Sequence, residues 1–201
     1  MSKPSEEFCR EVLTAHDRGQ HLRQALHFGA DAVNADADNG WWRRKSTRRA
    51  IFWENSVNKL VELTADDPAL NVVRHHDTVS FIFDDAVLVR LKKADLALRT
   101  SNIPTTQARL FHDHNADLFG HPGLQRVEAV YIPNRFETGI IWSGIVAREK
   151  KVHLWHFELT EPVVVPVVRV PLHAQPPAAS LARLRHQATD ADREKKDGEG
   201  K

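Results

Sequence analysis

Apolar side chains recur between residues 5 and 33 at Phe8, Val12, Ala15, Leu22, Leu26 and Val33. Their spacings, mostly three, four or seven, gather them on one stripe of a helix. Gly19 interrupts the stripe and predicts a division into two helices. Residues 34–40 include Asn34, Asp36, Asp38, Asn39 and Gly40, an acidic connector of turn-forming residues. A further helix is predicted from near Ser46, with Trp53, Val57, Leu60, Val61 and Thr64 on its inner side. It ends before Asp66, Asp67 and Pro68, because proline disfavours helical backbone in the residue before it.

The pattern changes at Leu70. Residues 71–76, 78–83 and 86–91 are rich in β-branched and aromatic side chains and are separated by Asp77 and by Asp84 and Asp85. They read as an antiparallel meander with one tight hairpin. Apolar residues occupy both parities of these strands, so each face of the sheet is expected to be partly covered. Ser101 to Thr105 resembles a capped helix start, with Pro104 suited to the first turn, and that helix is expected to run to about Asp117. A loop over residues 120–123 leads to three more strands, at 126–132, 136–148 and 152–159. Pro133 with Asn134, and then residues 149–151, supply the reversals. The predicted class is α+β, with N-terminal helices packed on an antiparallel or mixed sheet of about six strands.

Residues 1–160 are expected to form one domain, followed by a Pro-rich arm (161–187) and a charged, disordered tail (188–201). Pro162, Pro166, Pro171, Pro176 and Pro177 crowd into the arm. Prolines exclude a central strand there but allow an edge strand or a polyproline segment. The arm lies either on its own domain or against a second subunit, residues 162–172 then serving as a homo-oligomer contact. The chain of 201 residues carries 28 Lys and Arg against 27 Asp and Glu, a net charge of +1, so no global field draws it to polyanions. Its single cysteine, Cys9, excludes an intramolecular disulfide. The charged N-terminus lacks a signal-peptide core, and no apolar run approaches membrane-spanning length. The expected setting is cytoplasmic, with no membrane partner. Cys9, beside Phe8 and Val12, reads as a packed thiol rather than a nucleophile.

Within that balanced chain one segment stands apart. Trp41, Trp42, Arg43, Arg44, Lys45, Arg48 and Arg49 place five cations beside two indoles. Phosphates attract such a cluster through Coulomb interaction and counterion release, and indoles stack on bases. Arginines at a helix start also oppose the macrodipole, so local helix stability does not account for them. Arg90, Lys92 and Lys93, at the end of the meander, are candidates to extend the patch; Lys92 and Lys93 are included in the expected nucleic-acid contact set.

The histidines are candidate metal ligands. His112, His114, Asp117 and His121 form the densest group, but helical residues two apart point in different directions. His153 and His156 fall on a strand, where only alternate residues share a face. The expectation is no metal site and no cofactor. The enzymatic alternative is a divergent Mg²⁺-dependent nuclease of the restriction-endonuclease-like type using Glu54, Asp84, Asp85 and Lys92, its carboxylates holding the ion and its lysine orienting water. Arg90 stands where such a site needs an acid, two residues before Lys92. No nucleophile elbow and no Gly-rich phosphate loop occur.

Residues 83–95, continued by 98–108, together with Gly123, Leu124, Ala129 to Tyr131, Thr138 and Gly139, resemble a segment of uncharacterised bacterial proteins. Those proteins are often encoded beside helix-turn-helix regulators with a metallopeptidase-like domain. The resemblance covers roughly residues 70–160 and leaves the Trp/Arg segment unmatched. It implies a component of a stress-response, phage-related or toxin–antitoxin-like module with a protein partner encoded nearby, and it assigns no catalytic residue. The expected function is therefore a cytoplasmic bacterial binding protein, not an enzyme, contacting nucleic acid, a partner protein or both through its basic segment. A purely structural, oligomerising protein is the remaining alternative.

Overall fold

The computed structural model describes residues 3–75, 78–100, 106–114 and 123–160. The expected Pro-rich arm, the charged tail and the oligomer contact at 162–172 lie outside the described residues. Helix α1 (Glu6–Thr14) starts at Ser5, whose hydroxyl accepts the Phe8 amide at 3.4 Å, and buries Cys9, Val12 and Leu13. A single 3₁₀ turn (Ala15–Asp17) separates it from α2 (Arg18–Ala35). The break therefore precedes Gly19, at His16 and Asp17, which have φ of 52° and 56°. Helix α3 (Lys45–Leu63) packs along α2 and buries Phe52, Ser56, Val57 and Leu60. Gly29 permits that approach, since a Cβ there would lie 2.7 Å from the Phe52 carbonyl oxygen.

Six strands form one mixed sheet in chain order. They are β1 (Leu70–His75), β2 (Thr78–Phe83), β3 (Val87–Lys93), β4 (Gln125–Pro133), β5 (Ile140–Glu149) and β6 (Val152–Glu158). All neighbouring pairs are antiparallel except β3 and β4, which run parallel. A parallel pair needs a crossover, and the chain between β3 and β4 contains the short helix α4 (Thr106–Phe111). The expected α+β class and mixed sheet are what the structure shows.

The β2–β3 hairpin turns at Asp84 and Asp85, with φ of 54° and 49° and the Ala86 amide bonded to the Phe83 carbonyl at 3.0 Å. Consecutive left-handed residues mark the type I′ geometry that matches strand twist. Two expected elements differ. Helix α4 ends at Phe111 rather than Asp117, and His112 and His114 lie beyond it. Residues 136–139, expected as strand, form the β4–β5 turn. There Asn134 accepts the Phe136 and Thr138 amides through its side-chain oxygen, an alternative to ladder pairing that its short amide makes available.

One sheet face is apolar and carries the helices. Phe81, Phe83, Val89, Ala129 and Ile145 meet Leu13, Leu22, Leu26, Val57 and Leu60 in one buried core. Burial pushes the Cys9 thiol within it up to about 12, so this cysteine is a packing group at neutral pH. The opposite face bears two smaller apolar clusters, Ile82, Leu88, Phe111 and Leu124 in one and Ala94, Val130, Ile132 and Val146 in the other. Cover on both faces agrees with the apolar residues seen at both strand parities.

At one border of the helical layer lies Arg18, whose side chain is completely buried. Its Nε donates to Asp67 at 2.6 Å, Nη2 donates to Asp84 at 2.7 Å, and Nη1 donates to the Val12 carbonyl at 3.0 Å. The hydrogen bonds from Arg18 hold both carboxyls below the usual range. Removing the cation leaves two acids facing one another around a void. Arg18→Ala is expected to destabilise the fold by about 3 kcal/mol, measured by urea unfolding, and Arg18→Lys to recover little of it, because an ammonium lacks the planar fork. Unchanged unfolding midpoints in both variants would contradict this role.

Candidate functional site: a cationic corner and a buried polar layer

The basic segment occupies the corner where α3 begins. After α2, Asp36 turns the chain by accepting the Asp38 amide through its carboxylate at 2.8 Å. Residues Asn39–Trp41 then make one 3₁₀ turn. Arg44 is the N-cap residue of α3 but makes no side-chain cap, and the first helical turn contains no acid. The macrodipole is thus left unrelieved by its own helix. The Arg48 guanidinium donates to the Asn39 side-chain oxygen and ties the loop to the helix. On the other side, the Asn34 side chain donates to the Thr138 carbonyl at 2.6 Å and brings the β4–β5 turn alongside.

Arg43, Arg44, Lys45 and Arg49 are exposed, and no carboxylate among the described residues lies in ion-pair distance of them. Arg48 bonds a neutral amide, and it too has no ion-paired acid among the described residues. Trp41 is 79% exposed, whereas Trp42 is half-buried and packs on the helical core. The two indoles divide the work: Trp42 anchors the loop, and Trp41 presents an aromatic face to solvent.

A cleft of about 30 Å³ opens beside the corner, among Arg48, Arg49, Phe52, Lys93, Tyr131 and Glu137. Phe52 and Tyr131 stack there with ring centroids 4.0 Å apart. Lys93 bonds Glu137 at 2.5 Å. That bond, with the added charges of Arg49 and Lys45, holds the Glu137 carboxyl below its ordinary value. The acid beside the cleft is therefore already engaged.

Strand alternation decides which of the expected extensions join this corner. Lys93 does, on the helical side of the sheet. Arg90 and Lys92 have the other parity and point to the α4 side, so the structure does not extend the patch with them. Lys92 instead belongs to a buried polar layer that sequence reasoning missed. Arg90 donates to Ser80 at 3.0 Å and lies 4.4 Å over the Phe111 ring. Arg126 donates to the carbonyls of Leu110 and Asp113 at 2.6 and 2.9 Å, capping the end of α4. Glu128 is buried, accepts the Thr100 hydroxyl at 3.0 Å, and lies 3.6 Å from both the His112 imidazole and the Arg148 guanidinium. Burial lowers the Lys92 amine against the opposing pull of Glu128. The available signal was charge at alternate positions, 90 and 92, then 126 and 128, within otherwise apolar strands.

The residues of the Mg²⁺ alternative are not brought together. Glu54 is exposed on α3, Asp84 is bound to Arg18, and Asp85 is exposed at the hairpin. Lys92 lies five residues along β3 from Val87, roughly 17 Å of strand away from that hairpin. Among the described residues no group of three His, Cys, Asp or Glu forms a metal-ligand set, and no helix is long and apolar enough to cross a membrane. Compared with protein-family models, curated proteins and solved structures, the chain matches none of them.

His114 bonds the Arg148 carbonyl at 2.7 Å and, like His112, has its pKa lowered chiefly by burial. Each imidazole is therefore harder to protonate in the fold than in the unfolded chain. Their contribution is complete above the ordinary imidazole pKa of about 6.5 and shrinks as pH falls below it. Urea midpoints are expected to decline on acidification below that pH, and to decline less in a His112→Gln, His114→Gln double variant. An identical pH profile in the double variant would refute the assignment.

Proposed function

We propose that the Trp41–Arg49 corner is a nucleic-acid contact surface, and that the chain acts as a binding protein through it. The observation that carries this reading is the exposed group of Arg43, Arg44, Lys45 and Arg49 without ion-paired acids among the described residues, set beside the exposed Trp41 indole. Cations without an ion-paired acid gain most from phosphate, through direct charge pairing and release of condensed counterions. An indole standing in water gains from stacking on an unpaired base, worth about 1–3 kcal/mol. A single-stranded or locally opened nucleic acid satisfies both demands; a closed duplex would leave Trp41 without a stacking partner.

The unrelieved charge at the α3 start is the second support, since it burdens local helix stability and calls for a compensating anion. In the two-gene setting implied by the resemblance of residues 83–108, such a surface would give a regulator's companion its own hold on nucleic acid. A protein partner with an acidic face is the competing occupant, and salt dependence across nucleic-acid and protein probes separates the two.

The test is binding of fluorescently labelled single-stranded DNA and RNA over a range of salt. Replacing Arg43, Arg44, Arg48 and Arg49 by alanine is expected to lower the slope of log affinity against log salt by about 2–3, near 0.7 for each phosphate no longer neutralised. Trp41→Ala is expected to weaken binding while leaving that slope nearly unchanged. Equal affinity and slope in the four-arginine variant would overturn the reading.

A further inference from the structure

We propose that His153 and His156 form a surface site for a transition-metal dication of the Cu²⁺, Ni²⁺ and Zn²⁺ class. In a regular strand residues three apart face opposite sides, which argues against the pair on sequence grounds. Strand β6 is not regular. Ala147 pairs with Trp155 but Arg148 pairs with His153, so Leu154 opposes no residue of β5. This bulge turns both histidines to the α4 side of the sheet. His156 stands opposite Val146 there, with its ring set edge-on to Trp142 at 6.1 Å. The indole limits the swing of one ligand, and the strand pairing fixes both backbones.

His153 Nε2 lies 3.1 Å from His156 Nδ1. Two nitrogens at that separation, each about 2.0–2.1 Å from one ion, subtend an angle of about 100°, between the octahedral right angle and the tetrahedral value. The spacing is therefore that of neighbouring ligands on one metal, reached when each exposed ring turns its lone pair from the hydrogen bond to a shared point. Imidazole suits copper, nickel and zinc, whereas magnesium and calcium prefer oxygen donors. Both rings are exposed, so solvent supplies the remaining ligands. Arg148 stands opposite His153 in the strand pairing. The Arg148 charge limits how tightly a dication is held.

In the metal-free pair one ring nitrogen donates its proton to the other. When the ion enters, that proton moves through water to the outer nitrogen of the same ring. Each histidine then offers one lone pair and keeps one N–H, so no net proton is released.

Titration of the full chain with CuCl₂, followed by calorimetry and electron paramagnetic resonance, tests the proposal. The expected spectrum shows two imidazole nitrogens on one copper. His153→Asn or His156→Asn is expected to weaken that binding by at least about tenfold, while His21→Asn, on α2, leaves it unchanged. Both replaced positions are exposed, so the fold should tolerate either change. A single-nitrogen spectrum in the unaltered chain, or unchanged affinity in His156→Asn, would overturn it.

Discussion

The buried Arg18 guanidinium fixes how the N-terminal half meets the sheet. One planar group joins the last turn of α1 through Val12, the α3–β1 connection through Asp67, and the β2–β3 hairpin through Asp84. Its own backbone follows two consecutive left-handed residues, His16 and Asp17, a conformation that costs roughly 1–2 kcal/mol per residue. The bend persists because it delivers Arg18 to both carboxylates. From there the placement propagates: α2 is set, Gly29 admits α3 at close range, and the end of α2 reaches the β4–β5 turn through Asn34. The cationic corner is a consequence of that chain of packing.

The sheet separates two chemistries. Its helical face is apolar and closed; its α4 face mixes small apolar clusters with Arg90, Arg126, Glu128 and Arg148. Interior charges are costly unless they are bonded, and breaking such a set is more damaging than never having formed it. Arg126 helps to secure the end of α4 through two carbonyls, and Glu128 gathers Thr100, His112 and Arg148 from outside its own strand. These bonds give the crossover a specific seat on the sheet that apolar packing alone would leave loosely defined.

Much of the fold was legible because periodicity reports burial directly. The stripes of α1, α2 and α3 and the β-branched meander predicted the elements and the α+β class. Boundaries failed where local side-chain bonding overrode pattern, as at Asn134, which takes up backbone amides that a strand would have paired. The corner at Trp41–Arg49 was legible as composition, since five cations in a balanced chain are conspicuous. Its membership was not. One step of alternation sends Lys93 to the corner and Lys92 to the opposite face, and the reach of neither can be read before the register is known. The histidine pair was hidden for the converse reason: a one-residue bulge at Leu154 reverses the facing that ideal alternation assigns.

The central claim is that the exposed cations of the corner and the Trp41 indole face outward to meet phosphate and base together. Ultraviolet crosslinking of the protein to single-stranded nucleic acid, followed by mapping of the attached peptide, tests it most directly. The account predicts crosslinks concentrated at Trp41, diminishing as salt is raised. Crosslinks confined to other parts of the chain, or unaffected by salt, would contradict it.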